Sequence, residues 1–189
     1  MSAQKALERT FVLAQKGLEI DDRNATARGL LGAVYLVRRQ YDLALVELER
    51  AIAVNPNNPS SRAGQGIVYV WSGHPDGAIL ALEATLRFDP KMGVKNLSHL
   101  GMAYYLKGRY GDAVQVLEQG LRQNPDFSFG QALMAATYGQ LGRTKRAARA
   151  AAALRRLDPF FSTKEFGRLF RRPSDAALLV DGLRKAGLD

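Results

Sequence analysis

Apolar positions along this chain fall at helical spacing, in short runs separated by polar breaks. Between residues 94 and 127, Leu97, Leu100 and Tyr104 stand at i, i+3 and i+7, and Ala113, Leu117 and Leu121 at i, i+4 and i+8. Gly108 separates the two stripes and Pro125 follows the second. The stretch therefore predicts two helices joined by a tight turn and stopped by proline. Neither helix can bury its stripe alone, so stacked neighbours must do it.

The pattern recurs. Tyr104 has counterparts at Tyr35, Tyr69 and Tyr138, Ala113 at Ala44, Ala78 and Ala147, and Pro125 at Pro56, Pro90 and Pro159, always in steps of 34, 35 and 34 residues. Gly101 matches Gly32 and Gly66 and becomes Ala135 in the last unit. The small columns predict close helix crossings, and the tyrosines predict large flat knobs between units. Gly73, Gly108 and Gly142 mark turns that need a left-handed backbone. Pro75 suits the first turn of the helix that follows. Some positions depart from the pattern. Gln65 stands where Leu31, Leu100 and Met134 stand, Ala151 replaces Leu48, Leu82 and Leu117, and one extra residue lies near 91–94.

A 34-residue helix–turn–helix with these columns resembles the tetratricopeptide repeat. The resemblance implies an all-α fold, a right-handed superhelical solenoid of four units at 25–58, 59–93, 94–127 and 128–159. Residues 3–20 read as the second helix of an incomplete unit, with Ala14 and Gly17 one repeat before Leu48 and Ala51. Either this is a piece of a longer protein or the helix is a natural solvating cap. Completion of the half-unit by a second chain would give a homodimer.

Residues 160–189 leave the repeat and predict capping helices. Ser162 and Glu165 form a capping box before a short helix to about Phe170, and Pro173 starts another that ends before Gly187. Four of the eight phenylalanines lie here: Phe160, Phe161, Phe166 and Phe170. They suit an aromatic docking site or, the expectation preferred here, a cover over the exposed face of the last unit. The ending "LLVDGLRKAGL" also resembles the ends of repeat regions in bacterial multidomain signalling proteins, such as nucleotidyl cyclases and winged-helix regulators. That likeness implies a regulatory C-terminal segment. No residue of a cyclase or winged-helix site is present to carry over.

Composition narrows the location. There is no cysteine, the longest apolar run is Leu30–Val37, and the N-terminal residues lack a signal-peptide pattern. The expectation is a cytoplasmic protein. The net charge of +9 is concentrated in residues 143–172, which hold ten Lys and Arg against Asp158 and Glu165.

Catalytic chemistry is thin. His74 lies in a Gly-His-Pro turn and His99 on a first helix, where it reads as a groove or surface residue. Two isolated histidines without cysteine make no metal site, and Gly64-x-Gly66 has no preceding strand to make a dinucleotide loop. Glu47, Glu49, Glu83 and Glu118 read as solvated helix faces. No enzyme activity, cofactor or metal is expected.

What remains is surface. In the family resembled, first helices line a concave face. Here they would supply Ala33 and Val37, then Ala63, Ile67 and Trp71, then Lys95, His99, Met102 and Leu106, then Ala132 and Ala136. Gly29, Ala33, Ala63 and Ile67 occupy the places where some members clamp a terminal carboxylate, so that clamp is absent. An apolar groove anchored by Trp71 and Met102 suits an apolar helical or extended segment of a partner protein. The same residues equally suit packing between units. The rival surface is basic: Lys145, Arg146, Arg149, Arg155 and Arg156, of which Lys145, Arg149 and Arg156 share one helix face. It fits an acidic protein, nucleic acid or an anionic membrane, or a solvated face. Scarce aromatic residues between 143 and 159 disfavour nucleic acid. The reading is a non-catalytic interaction or scaffolding module, with an adaptor using the basic end as the alternative.

Overall fold

Eleven helices follow one another, with no strand, across the residues that the computed structural model describes, 2–188. Helix α1 (Ala3–Ile20) precedes four pairs: α2 (Ala25–Val37) with α3 (Tyr41–Val54), α4 (Pro59–Ser72) with α5 (Pro75–Phe88), α6 (Val94–Leu106) with α7 (Tyr110–Gln123), and α8 (Ser128–Gln140) with α9 (Thr144–Leu157). A single turn, α10 (Thr163–Gly167), and α11 (Pro173–Lys185) complete the chain. Each second helix also packs on the next first helix, which builds an all-α solenoid. First helices touch one another along the stack and second helices do not, so α2, α4, α6 and α8 form the inner face.

The glycine column marks the crossing within each pair. A Cβ on Gly32, Gly66 or Gly101 would lie 2.7, 2.6 or 2.7 Å from Leu48, Leu82 or Leu117. By register the fourth pair sets Ala135 against Ala151, a larger residue facing a smaller one. At the turns, Gly73, Gly108 and Gly142 take φ of +85°, +72° and +66°, and Arg39 holds the matching turn of the first pair at +59°. That conformation is costly for a residue with a Cβ.

Two acids expected on solvated faces also tie units together, Glu83 half-buried and Glu118 exposed. Tyr104 donates to Glu83 across 2.5 Å and Tyr138 to Glu118 across 3.0 Å. Burial and the facing carboxylate raise both phenols above their ordinary range. Glu47 pairs with Arg28 and Arg50, both at 2.9 Å.

Helix α1 packs on α2 as a second helix packs on the next unit. Phe11 meets Tyr35 edge-on at 6.1 Å, and the Arg38 guanidinium lies 4.4 Å over Phe11 while pairing with Glu8. Among the described residues no helix is long and apolar enough to cross a membrane.

The tail departs from expectation in its path. Ser162 accepts from the Glu165 amide at 3.3 Å, but α10 ends at Gly167 rather than near Phe170. The chain then turns back across the inner face, and α11 lies along α8 and touches α6.

Candidate interaction surfaces

Trp71 on α4 is the centre of an aromatic cluster that joins α4, α6, α8 and the tail. Its ring lies 4.9 Å from Phe170 and 6.4 Å from Phe166 of the tail, 5.9 Å from His99 on α6 and 5.9 Å from Phe129 on α8. Phe166 is also edge-on to Phe129 at 5.5 Å and to Phe161 at 5.5 Å. Tilted and edge-on rings at these separations add to the stabilisation from area burial. The Arg171 amide donates to the Trp71 carbonyl at 2.9 Å, so the tail backbone is tied down beside its own phenylalanines.

Beyond Trp71 the tail reaches the turn between α2 and α3. Tyr41 donates to the Leu169 carbonyl at 2.6 Å, and Arg39 to the Phe170 carbonyl at 3.4 Å. Arg171 grips both carboxylate oxygens of Asp42, at 2.8 and 3.1 Å. Hydrogen bonding from that guanidinium holds the Asp42 carboxyl below its usual range. On the return, Tyr105 donates to the Leu178 carbonyl at 2.7 Å, and Gln140 reaches Asp181 at 3.0 Å. The backbones of α8 and α11 meet at Gly139 and Gly182, where neither position has room for a Cβ.

An open apolar trough along all four first helices is therefore corrected. Trp71, His99, Met102, Ala132 and Ala136 are buried and Leu106 is half-buried. The physical reason is that Phe166, Phe170 and α11 bury their apolar side chains against this part of the inner face. His99 is a core residue, not a groove or surface one. Burial lowers its imidazole to about 4, so the ring is neutral, and its Nδ1–H donates to the Lys95 carbonyl at 2.7 Å. Sequence reasoning missed Phe129, Tyr105, Tyr41 and Asp42 as tail contacts. Phe129 lies at no repeat column, and that was the available signal.

The other half of the inner face is open. Ala33, Val37 and Lys95 are exposed, and Ala63 and Ile67 lie beneath them, each below a tenth exposed. Ala33, Ala63, Ile67 and Lys95, with Gly29, Leu36, Ser60 and Asn96 but not Val37, shape a groove of about 470 Å³ between α2 and α4, in which Lys95 is the one charged lining residue. No cluster of three or more His, Cys, Asp or Glu that could hold a metal stands among the described residues.

The basic residues divide between two sides of α9. Lys145, Arg146, Arg149 and Arg156 are exposed, whereas Arg155 reaches the Gly187 carbonyl at the end of the tail. Arg146 lies 5.7 Å over the Tyr138 ring, and Arg156 stands 3.8 Å from Asp126.

Models of the tetratricopeptide repeat match residues 30–93 and 94–127. No curated protein matches the chain. Among solved structures, YrrB, described as a tetratricopeptide protein with an unusual peptide-binding site, superposes with a TM-score of 0.65 at 18% identity, over 92% of this chain and 90% of that one. PilW, a type IV pilus biogenesis factor, gives 0.74 at 15% identity, over 97% and 84%. A thermophilic tetratricopeptide protein of Thermus thermophilus gives 0.70 at 20% identity, over 93% and 94%. At these identities the likeness is one of fold.

Proposed function

Since residues 30–127 place the chain in the tetratricopeptide-repeat family, we propose that it is a non-catalytic module that holds a segment of another protein in the open half of its inner face. Proteins of this family generally mediate protein–protein interaction. The observation that carries the reading is the groove between α2 and α4, walled by small and apolar side chains and left uncovered where the tail stops. Ala33, Ala63 and Ile67 favour apolar side chains that approach closely, and Lys95 favours an acidic group at that end. The peptide-binding site named for YrrB lends the reading support by analogy of fold.

The tail has a part in this function. By filling the half around Trp71 it shortens the groove, so the partner segment is short and its register is set where Leu169 and Phe170 end. We further read the chain as a regulatory segment of a larger bacterial signalling protein acting in the cytoplasm, a reading supported by the ending Leu178–Leu188. An antibody band from source-cell extract well above 20.7 kDa would support that size, and a band at 20.7 kDa would exclude it.

The test of the groove uses Ala33→Arg, because Ala33 is exposed and the array should tolerate a long side chain there. Ile67→Asp would be a poor choice, since it sets a carboxylate in a site only 6% exposed. A partner captured by the wild-type chain should be lost with Ala33→Arg and kept with Lys145→Ala. Equal capture by all three would sink the proposal.

A further inference from the structure

The outer face carries a second groove. Between α7 and α9, over a floor from α8, lies a cleft of about 840 Å³. Leu121, Met134, Ala150 and Ala153 make it apolar, and Arg122, Arg146, Arg149 and Arg156 stand around it. Its one lining carboxylate, Glu118, is engaged by Tyr138.

Two departures of the last unit create this site. Ala150, Ala152 and Ala153 stand one repeat after Val116, Glu118 and Gln119, so α9 gives up bulk along the wall where α7 keeps it. The charge also reverses. Helices α3, α5 and α7 each carry an Asp in the first turn, at Asp42, Asp76 and Asp112, while α9 carries none and has Lys145 and Arg146 there. Cations at a helix N-terminus oppose its dipole, so this arrangement does not serve the stability of α9. Among the described residues, Arg122 and Arg149 have no carboxylate within ion-pair distance, and Arg156 has only Asp126 at 3.8 Å. Guanidiniums gathered around an apolar floor with so few carboxylates of their own suit an anionic ligand.

We propose that this outer groove docks an acidic, apolar-faced segment of a partner protein, its carboxylates on the four arginines and its apolar side chains over Met134 and Ala153. The span from Arg146 to Arg156 is about 15 Å along the helix, enough for roughly three turns of a bound helix. Protein suits the site better than nucleic acid. The floor is aliphatic and suits Leu side chains, and its one aromatic face, Tyr138, already lies under Arg146, so no ring is free to stack on a base. A bilayer surface is a poor fit as well, because the apolar surface is recessed behind its rim rather than presented outward.

The probe is a labelled helical peptide of about three turns with Glu along one edge and Leu along the other. Its affinity for the full chain is measured by fluorescence anisotropy, beside the same peptide with Lys for Glu, single-stranded DNA and anionic vesicles. The Glu/Leu peptide should bind, weaken as salt rises, and lose about tenfold or more with Arg149→Glu. Ala153→Trp, which fills the cleft without changing charge, should abolish binding. Ala33→Arg on the inner face should leave it unchanged, so this site and the inner groove fail separately. The proposal is overturned if the Glu/Leu peptide does not bind, or if Arg149→Glu leaves its affinity unaltered. It is equally overturned if DNA or vesicles bind more tightly and still bind Ala153→Trp.

Discussion

The rings of Trp71 and Phe170 stand 4.9 Å apart, one on the inner face of the second repeat and the other in the tail. Neither is more than a tenth exposed. The tail is thus part of the core of the repeat array, and what a partner can reach on the inner face is only what the tail leaves bare.

Phe170→Ala should cost about 3 kcal/mol, the usual scale for truncating a buried phenylalanine. Trp71 is the only tryptophan, so its emission reports on the tail directly. The variant should show a red-shifted native spectrum and a lower denaturant midpoint. An unshifted spectrum with unchanged stability would mean that the tail does not cover Trp71 in solution.

Along the tail, the buried contact should matter more than the exposed ion pair. Tyr41 is 5% exposed and donates to the Leu169 carbonyl, so Tyr41→Phe should cost about 1 kcal/mol. Asp42→Asn removes an exposed partner of Arg171, and its effect should be smaller and vanish in high salt. Urea melts of the two variants at low and high salt decide the order. A larger loss from Asp42→Asn would reverse it.

Two glycines in helices should respond oppositely to alanine. Gly111, in α7, has nothing within 4 Å of where its Cβ would sit, so Gly111→Ala should stabilise by up to about 1 kcal/mol through helix propensity. A Cβ on Gly182 would meet the Ala136 carbonyl at 2.9 Å and crowd the Tyr105 hydroxyl. Gly182→Ala should therefore destabilise, with faster amide exchange across residues 173–185. Faster exchange confined to the array itself would contradict the docking of α11 on α8.

The repeat was legible because its columns obey local rules. Glycine at Gly32, Gly66 and Gly101 and leucine at Leu48, Leu82 and Leu117 signal a close crossing wherever they recur. Read one column at a time, Ala135 and Ala151 are two separate departures, although register makes them facing partners. The ties made by Glu83 and Glu118 were missed because their tyrosine partners come from the next unit, 21 and 20 residues away. The tail's path to Trp71 was not legible. Phe161, Phe166 and Phe170 announce a need for burial, but a segment that occurs once has no period to tell which face will receive it. Periodicity identifies an apolar face and says nothing of what covers it.

His99 gives the molecule a stability that falls in acid. Burial holds its folded value at about 4 against an ordinary 6.5. Between those values the unfolded chain binds a proton that the folded chain refuses, so stability rises with pH across this window. The contribution is fully present above about 6.5 and is lost as pH falls toward 4, by an amount on the order of 3 kcal/mol. Burial outweighs the one contact that favours the charged ring, the Lys95 carbonyl on Nδ1–H; the Trp71 and Phe129 rings offer no carboxylate, and the Lys95 ammonium repels an imidazolium. His99→Phe keeps the ring contacts and removes the titration. Thermal melts of both proteins at pH 4.5 and 7 should therefore show a larger acid loss in the wild type. If the two lose stability equally, the imidazole is solvated and not enclosed by Trp71 and Phe129.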